Sequence, residues 1–573
     1  MHCKTKYNRS VARHIEQEFP MTAELPVLII GAGPTGLMLA GELSRYGVAC
    51  RVVEKRAKPQ DTSRAVAIQA RTLEIFSYLG ILDQFYPRGT VYHGMSAYIG
   101  QKRLVHVSMD ELDSPYPYVL GVPQTDTEDI LLKRLAGFGV SPEWATELAS
   151  FAADDAGVTA TLKKADGSAE TVRCRWLIGA DGAHSPVRKG AGLTFLGETY
   201  ESGFALADVR IDWALPHDEV LVFPGNGEHG LTAAFPLPGE NRYRLTWEFE
   251  ATHKIEAGAV AQHGRVTDVP EPTLADAQKI LDERVGFPAK AHDPVWFANF
   301  RVNSRMAAGY RNGRVFLAGD AAHIHSPAGG QGMNTGLQDA FNLAWKLAFV
   351  ENGVAKPAIL DSYHAERHAV GIDLLKNTDR MASVAMMRHP VAIAVRNNVM
   401  RVVSGFEAFQ QRARRTISEL AIGYRKSPLS AEHHGSLLGS ILPHGADDPG
   451  VWAWREFANG PHAGDRAPDA ALGGGHIFDL FRDPKRFTLL AFTGKDAKPE
   501  TVTHQRELLA KVAAEWGKLV QGVLIESTEE AAIDRYGARS ACVYLVRPDG
   551  YIAYRSQPAD LSKLSEYLRG WLV

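Results

Sequence analysis

One segment near the start of the chain restricts the fold more than any other. Leu25 to Ile30 is a short apolar, β-rich run, as expected of a strand buried on both faces of a parallel sheet. It enters Gly31-Ala32-Gly33-Pro34-Thr35-Gly36 directly, and a helical pattern through Leu37, Leu39, Ala40 and Leu43 follows until Gly47. A second strand, Cys50 to Val53, ends at Glu54 and Lys55. In this arrangement Gly31 permits a tight turn, Gly33 lets backbone approach a pyrophosphate, and Gly36 draws helix against strand. A helix beginning at Pro34 and Thr35 offers unpaired N–H groups to phosphate, and an acid at Glu54 can accept hydrogen bonds from a ribose. Glycine-rich turns arise often by accident. The strand, helix, second strand and terminal acid together predict a Rossmann-like unit for an adenine dinucleotide.

Two later segments narrow the choice of dinucleotide. Trp176 to Ala180 reads as a strand running into Asp181-Gly182, and Arg314 to Ala318 as another running into Gly319-Asp320. Each places a carboxylate at the carboxyl end of a strand, where doubly wound sheets bind ligands. An Asp in that position is more commonly a helix cap or turn residue. After Asp320, however, comes Pro327-Ala328-Gly329-Gly330-Gln331-Gly332-Met333-Asn334, leading into a long helix with Leu337, Phe341, Ala344 and Ala348 on one stripe. Such an approach leaves free N–H donors at the positive end of a helix. A reduced flavin is anionic along its pyrimidine edge, and a helix end of this kind stabilises it by about 0.3–2 kcal/mol. NAD carries no group needing that arrangement, so the constellation favours FAD.

The order of these pieces resembles the single-component FAD-dependent aromatic hydroxylases, the family with the p-hydroxybenzoate hydroxylase fold, and within it the phenol 2-monooxygenase and polyketide hydroxylase branch. The matching residues are the opening glycines with Glu54, Gln124 in VPQTDTEDILLKRL, Asp181-Gly182, and GDAAHIHSPAGGQGMNTGLQDAFNLAWKLA. The resemblance implies that Glu54 holds the adenosine ribose and that Gln124 lies along the ribityl chain and pyrophosphate. It implies that Asp320 bonds the ribityl hydroxyls and that Gly332, Met333 and Asn334 meet the flavin pyrimidine edge. Asp181, in the motif linked in that family to both FAD and NAD(P)H binding, would be partly structural, and Arg64 is a phosphate or ribityl neighbour or else a solvated surface Arg. The implied reaction uses NADPH or NADH as co-substrate: O₂ adds to the reduced flavin at C4a, and one oxygen atom passes to an electron-rich ring carbon. No second dinucleotide-binding unit is visible, which suggests that the nicotinamide docks only briefly.

The expected architecture is α/β. Residues 1–24 form a leader read as flexible. Residues 25–200 and 300–360 form the FAD-binding domain, and 201–299, with part of 90–125, an interleaved antiparallel-sheet substrate domain. A helical segment spans 361–425, a linker 426–470, and a thioredoxin-like domain 471–573. Arg242 to Trp247 alternates with period two, as in a half-buried antiparallel strand. Val66, Phe235, Tyr243, Trp247, Trp296 and Phe297 are candidates for the substrate pocket, although each aromatic is at least as readily a packing residue. A base near a phenol hydroxyl typically contributes about 10²–10⁴-fold. Val66 stands where the phenol 2-monooxygenase pattern carries an acid, so Tyr243, His229 and Asp208 are the candidates for that role, and the departure leans towards polyketide and antibiotic hydroxylases.

Composition excludes several other classes. A net charge of -3 and 23% charged residues give no field that gathers nucleic acid. No stretch of 18 apolar residues suggests a membrane span. Cys3, Cys50, Cys174 and Cys542 are scattered, which fits a reducing cytoplasm and neither a disulfide framework nor a zinc site. Cys542 alone in the thioredoxin-like region argues against redox work there and for packing or support of a homodimer. His323 and His325 lack suitably spaced metal-ligand partners, so no metal is expected. Trp452-Ala453-Trp454 continues into Arg455-Glu456 rather than the Ile-Pro of flavin halogenases. The rivals left are Baeyer–Villiger or epoxidising oxygenation of a polyketide or antibiotic, and a flavin-binding regulator without turnover. The expected partner is a small aromatic substrate.

Overall fold

The computed structural model describes residues 25–61, 63, 65–250, 270–326, 330–434 and 451–573. The leader, Arg64 and Pro327 lie outside them. Leu25–Ile30 runs parallel to Cys50–Glu54 on one side and to Ala169–Gly179 on the other. Val315–Leu317 adds in parallel to the far edge of Ala169–Gly179. The four inner residues of the first strand are buried, because the helices Pro34–Arg45 and Gly332–Glu351 pack against the sheet and each other. Full burial of side chains such as Leu28, Leu39 and Leu343 stabilises the fold by about 1.5–3 kcal/mol each.

A second sheet of eight strands includes, in order, Lys290–Ala307, Phe195–Asp212, Arg242–Glu250, Thr232–Pro236, Glu219–Phe223, Gly94–Ile99 and Lys102–Ser108. The strands from the 90–125 region therefore join this sheet. Its outer face buries Ala205, Ala207, Val209, Leu245 and Ala234 beneath the helix Leu274–Arg284.

Beyond the Gly332–Glu351 helix come the helices Asp361–Ala385, Pro390–Val403 and Glu407–Ile417. A third sheet holds Ala431–His434, Ile552–Gln557, Ser540–Val546, Phe487–Gly494 and Val520–Ile525. Within the stretch expected as a linker, the described residues include regular elements. Ala431–His434 pairs in parallel with the edge of this sheet, and Val451–Asn459, with Trp452 and Trp454, is helical. Cys542 is fully buried in its strand, and burial pushes its thiol well above the ordinary value. Among the described residues no helix is long and apolar enough to cross a membrane.

Candidate active site

The three carboxyl ends of Leu25–Ile30, Ala169–Gly179 and Val315–Leu317 open side by side, so Gly31–Gly36, Asp181 and Asp320 border one crevice. The approach is close. A Cβ on Gly31, whose φ is +106°, would sit 2.3 Å from the Ala180 carbonyl oxygen, and one on Gly36 would sit 2.0 Å from that of Gly31. Gly33 differs from both, because a Cβ there meets nothing within 4 Å. Pro34 opens the following helix. The Thr35 hydroxyl lies where a Cβ on Gly319 or Gly336 would come within 2.5 Å, which fixes the first helix against the Asp320 turn.

Glu54 is buried and faces the glycine loop, accepting from the Ala32 amide at 2.9 Å and from Arg56 at 3.0 Å. Burial works against its charge, yet Arg56 and the Ala32 amide hold the carboxyl below its ordinary value. Lys55 beside it is exposed. The Gln124 amide donates to the Ser63 hydroxyl at 2.8 Å and to the Ala65 carbonyl at 3.0 Å. Gln124 thereby ties the Gln124–Ala136 helix to the loop approaching the crevice.

While Ser185 caps the Pro186–Gly190 helix, Asp181 accepts from the Val187 amide in its first turn at 3.1 Å through one oxygen. Its other oxygen is buried without a partner among the described residues, and burial pushes the carboxyl up to about 6. Asp320 is exposed in its turn. That turn is set by Asp339, which accepts from the Gly319 amide at 3.0 Å, contacts His323 Nε2 at 2.7 Å and accepts from Arg367 Nε at 2.6 Å. His323 is thus a structural partner of a buried carboxylate, and among the described residues no cluster suits a metal.

At the start of the Gly332–Glu351 helix, Gly330 has a φ of +62° and Met333 is partly buried. The neutral His325, its pKa lowered by burial to about 4, directs towards Gly332 a buried Nε2 that has no partner among the described residues. Asn334 has a structural side chain. Its side chain is fully buried and accepts from the Gln69 amide at 2.9 Å, while donating to the Ala67 and Gly330 carbonyls at 2.9 and 3.0 Å. It clamps the loop after Val66, and only its backbone is left for a ligand.

The substrate side needs more correction, because side chains alternate across a strand. Tyr243 and Trp247 belong to the outer core, and Phe297 packs on it. The Tyr243 ring meets Trp213 and His217, and its hydroxyl reaches the Pro216 carbonyl at 3.5 Å. These three are packing residues. His229 lies in a surface loop, 4.0 Å from Glu283. The inner face instead carries Phe235, Arg244, Asp208 and Trp296 in register across four strands. Asp208 accepts from Arg244 Nε and Nη2, both at 2.8 Å, and from Trp296 Nε1 at 2.8 Å. With both oxygens taken by these donors, Asp208 is an ordering residue. Arg244 also reaches the Ser63 hydroxyl and the Ala65 carbonyl at 3.3 Å each, joining the second sheet to the crevice loop. Val66 is buried beside that loop. Arg244 and Thr246, whose buried hydroxyl has no partner among the described residues, escaped the sequence reading. The alternation at Arg242–Trp247 was visible there, but which phase faced inward was not.

Comparison with known proteins matches this geometry. A family model described as FAD binding domain matches residues 24–378, and one described as aromatic-ring hydroxylase, C-terminal, matches residues 460–573. The chain is 35% identical to a 6-methylpretetramide 4-monooxygenase of Streptomyces rimosus, over 96% of this chain and 94% of the relative. It is 33% identical to a pentachlorophenol 4-monooxygenase of Sphingobium chlorophenolicum, over 93% and 94% respectively. Among solved structures, the anhydrotetracycline hydroxylase OxyS from Streptomyces rimosus superposes with a TM-score of 0.71 at 30% identity, covering 96% of this chain and 99% of that one. Three strand ends meeting at one dinucleotide crevice, an antiparallel sheet over it and these matches lead to one assignment: the chain belongs to the FAD-dependent aromatic-ring hydroxylases.

Proposed function

We propose that the protein hydroxylates a phenolic aromatic compound at the expense of NAD(P)H and O₂, with FAD lying from Glu54 to the Gly332 helix end. The observation that carries this reading is the shared crevice of Gly31–Gly36, Asp181 and Asp320. The residues fit the group. Gly33 leaves room for a pyrophosphate, and Glu54 is held ionised at the ribose end. Asp181 and His325 each keep a buried polar atom without a partner among the described residues, one beside the second strand end and one beside the helix start. When bound, FAD would supply the activation of O₂ that no side chain can perform.

The chain's own share is placement and exclusion of water. Asp320 would accept from ribityl hydroxyls, and the Gly332–Asn334 backbone would donate to the pyrimidine edge. The strip Phe235, Arg244 and Trp296 would roof the reacting ring, with the buried Thr246 hydroxyl on the same face of its strand. Relatives named for 6-methylpretetramide and anhydrotetracycline favour a polycyclic phenol over a single ring. Purified protein should show oxidised-flavin bands, and NAD(P)H oxidation should rise with a phenol from a panel running from chlorophenols to tetracyclic aromatics. A protein that binds FAD yet responds to none of them is a flavin-binding regulator, and the reading fails.

Two substitutions test the cofactor placement. Asp320→Ala removes one charged hydrogen-bonding group worth about 1.5–3 kcal/mol, so the FAD dissociation constant should rise about 10- to 150-fold. Gly33→Val places its Cβ in open space at the N-cap of the Pro34–Arg45 helix and should cost the apoprotein about 1 kcal/mol. In FAD titration the same variant should bind more than about tenfold weaker, because the branched side chain occupies the space assigned to pyrophosphate. Unchanged fluorescence titrations for both variants would remove FAD from this crevice.

A further inference from the structure

Behind the helix end assigned to the flavin lies a carboxyl that nothing above has used. Glu419 follows the Glu407–Ile417 helix with a φ of +62°, a left-handed conformation in a non-glycine residue, which costs of order 1–3 kcal/mol and persists only where the surroundings impose it. Its side chain is almost wholly buried. One carboxyl oxygen faces the Thr335 hydroxyl at 3.3 Å and the other the Gln338 side-chain amide, both within the first two turns of the Gly332–Glu351 helix. The surrounding turn is clamped to the same helix end, since Gln331 Nε2 donates to the Thr416 carbonyl at 2.8 Å.

We propose that Glu419 is a positioning residue for flavin chemistry: as an uncharged acid it leaves the positive end of the Gly332–Glu351 helix undiminished for the pyrimidine edge of FAD, and as a carboxylate it opposes the reduced, anionic flavin. This rests on the FAD placement proposed above. The charged and titratable groups around Glu419 are few. Arg367, on the Asp361–Ala385 helix, spends Nε on Asp339, Nη1 on the Tyr424 hydroxyl and Nη2 on the Thr335 carbonyl. Asp339, on the same helix as Thr335, adds a negative charge that disfavours a second one. Arg71, on Ala70–Tyr78, meets this turn through its backbone, which donates to the Ser418 carbonyl, and sends its guanidinium to Glu74 and the Asp549 carbonyl. Among the described residues Glu419 thus receives two neutral donors and no direct cation. Burial raises its carboxyl to about 8.

The test is the midpoint potential of bound FAD between pH 6 and 10, measured by dye equilibration on the holoenzyme and on Glu419→Gln. The two should agree at pH 6. Above pH 8 the wild type should fall below the variant by about 30 mV, which is a tenfold change in the ratio of affinities for reduced and oxidised FAD in a two-electron couple. Wild-type holoenzyme should also show a protonated-carboxyl infrared band at pH 7 that disappears by pH 10, a readout that stands if Glu419→Gln fails to fold. Superimposable potentials, or no such band, would overturn the inference while leaving the FAD placement intact. Protein that binds no FAD would overturn both.

Discussion

Glu366→Ala is expected to cost about 3–5 kcal/mol of stability, the usual penalty for removing one partner of a buried charge cluster. Glu366 is buried on the Asp361–Ala385 helix. It accepts from Lys346 Nζ at 2.7 Å, Arg547 Nη1 at 2.6 Å, Asn342 Nδ2 at 2.7 Å and the Ser427 hydroxyl at 2.6 Å. Its loss would leave Lys346 and Arg547 as buried cations with only Asp549 to oppose them. The cluster is also the joint between the C-terminal sheet and the flavin domain. Asp549 accepts from Trp345 Nε1 at 3.1 Å, and its carbonyl accepts from Arg71 Nη2 at 2.7 Å. Urea unfolding should therefore show a lower midpoint, and limited proteolysis should cut near the joint in the variant first. The pH dependence carries a sign. Burial opposes the charge of Glu366, but Arg547 and Lys346 hold its carboxyl well below the ordinary range. A depressed carboxylate contributes stability present above its unfolded pKa of about 4.3 and lost as pH falls through the folded value. Wild-type stability should fall more steeply than that of Glu366→Ala below that pH. Equal midpoints at pH 7 would show that the cluster adds nothing.

What the sequence made legible follows from the range of the interactions involved. The Leu25–Glu54 unit is local: its strand, turn and helix lie within thirty positions, and Gly36 packs on the Gly31 carbonyl inside the motif itself. Asp181 and Asp320 were legible because strand ends in a parallel sheet share one edge. The joint at Glu366, Arg547 and Asp549 was not, since its members lie far apart in the chain and each alone reads as a solvated surface charge. Glu419 was hidden for the same reason. The inner phase of Arg242–Trp247 was lost for a different one. Alternation gives two faces, and with aromatics at Tyr243 and Trp247 and cations at Arg242 and Arg244, composition pointed the aromatic face at the pocket. The structure buries that face under the Leu274–Arg284 helix instead, and turns Arg244 inward, where Asp208 offsets its charge.

That inward pair gives the second large expectation. Arg244→Met should lose about 3–5 kcal/mol, because Asp208 is left buried with the Trp296 indole as its remaining donor from this cluster. The functional effect should exceed what stability explains. Arg244 is the residue that carries the second sheet to the Ser63–Ala65 loop, and Gln124 holds the same loop from the other side through the Ser63 hydroxyl. Without it the roof of the site loses its fixed distance from the crevice, and water gains entry. In turnover this appears as NAD(P)H consumption that yields hydrogen peroxide in place of hydroxylated product. Replacing both partners, Asp208→Leu with Arg244→Met, removes the orphaned charge and should recover most of the lost stability. It should not recover coupling, because the loop still lacks its donor. Measuring urea midpoint and peroxide per NAD(P)H side by side in the single and double variants separates the two roles. If peroxide yield returns to the wild-type level whenever stability does, Arg244 is a packing residue and the roof is held by other contacts.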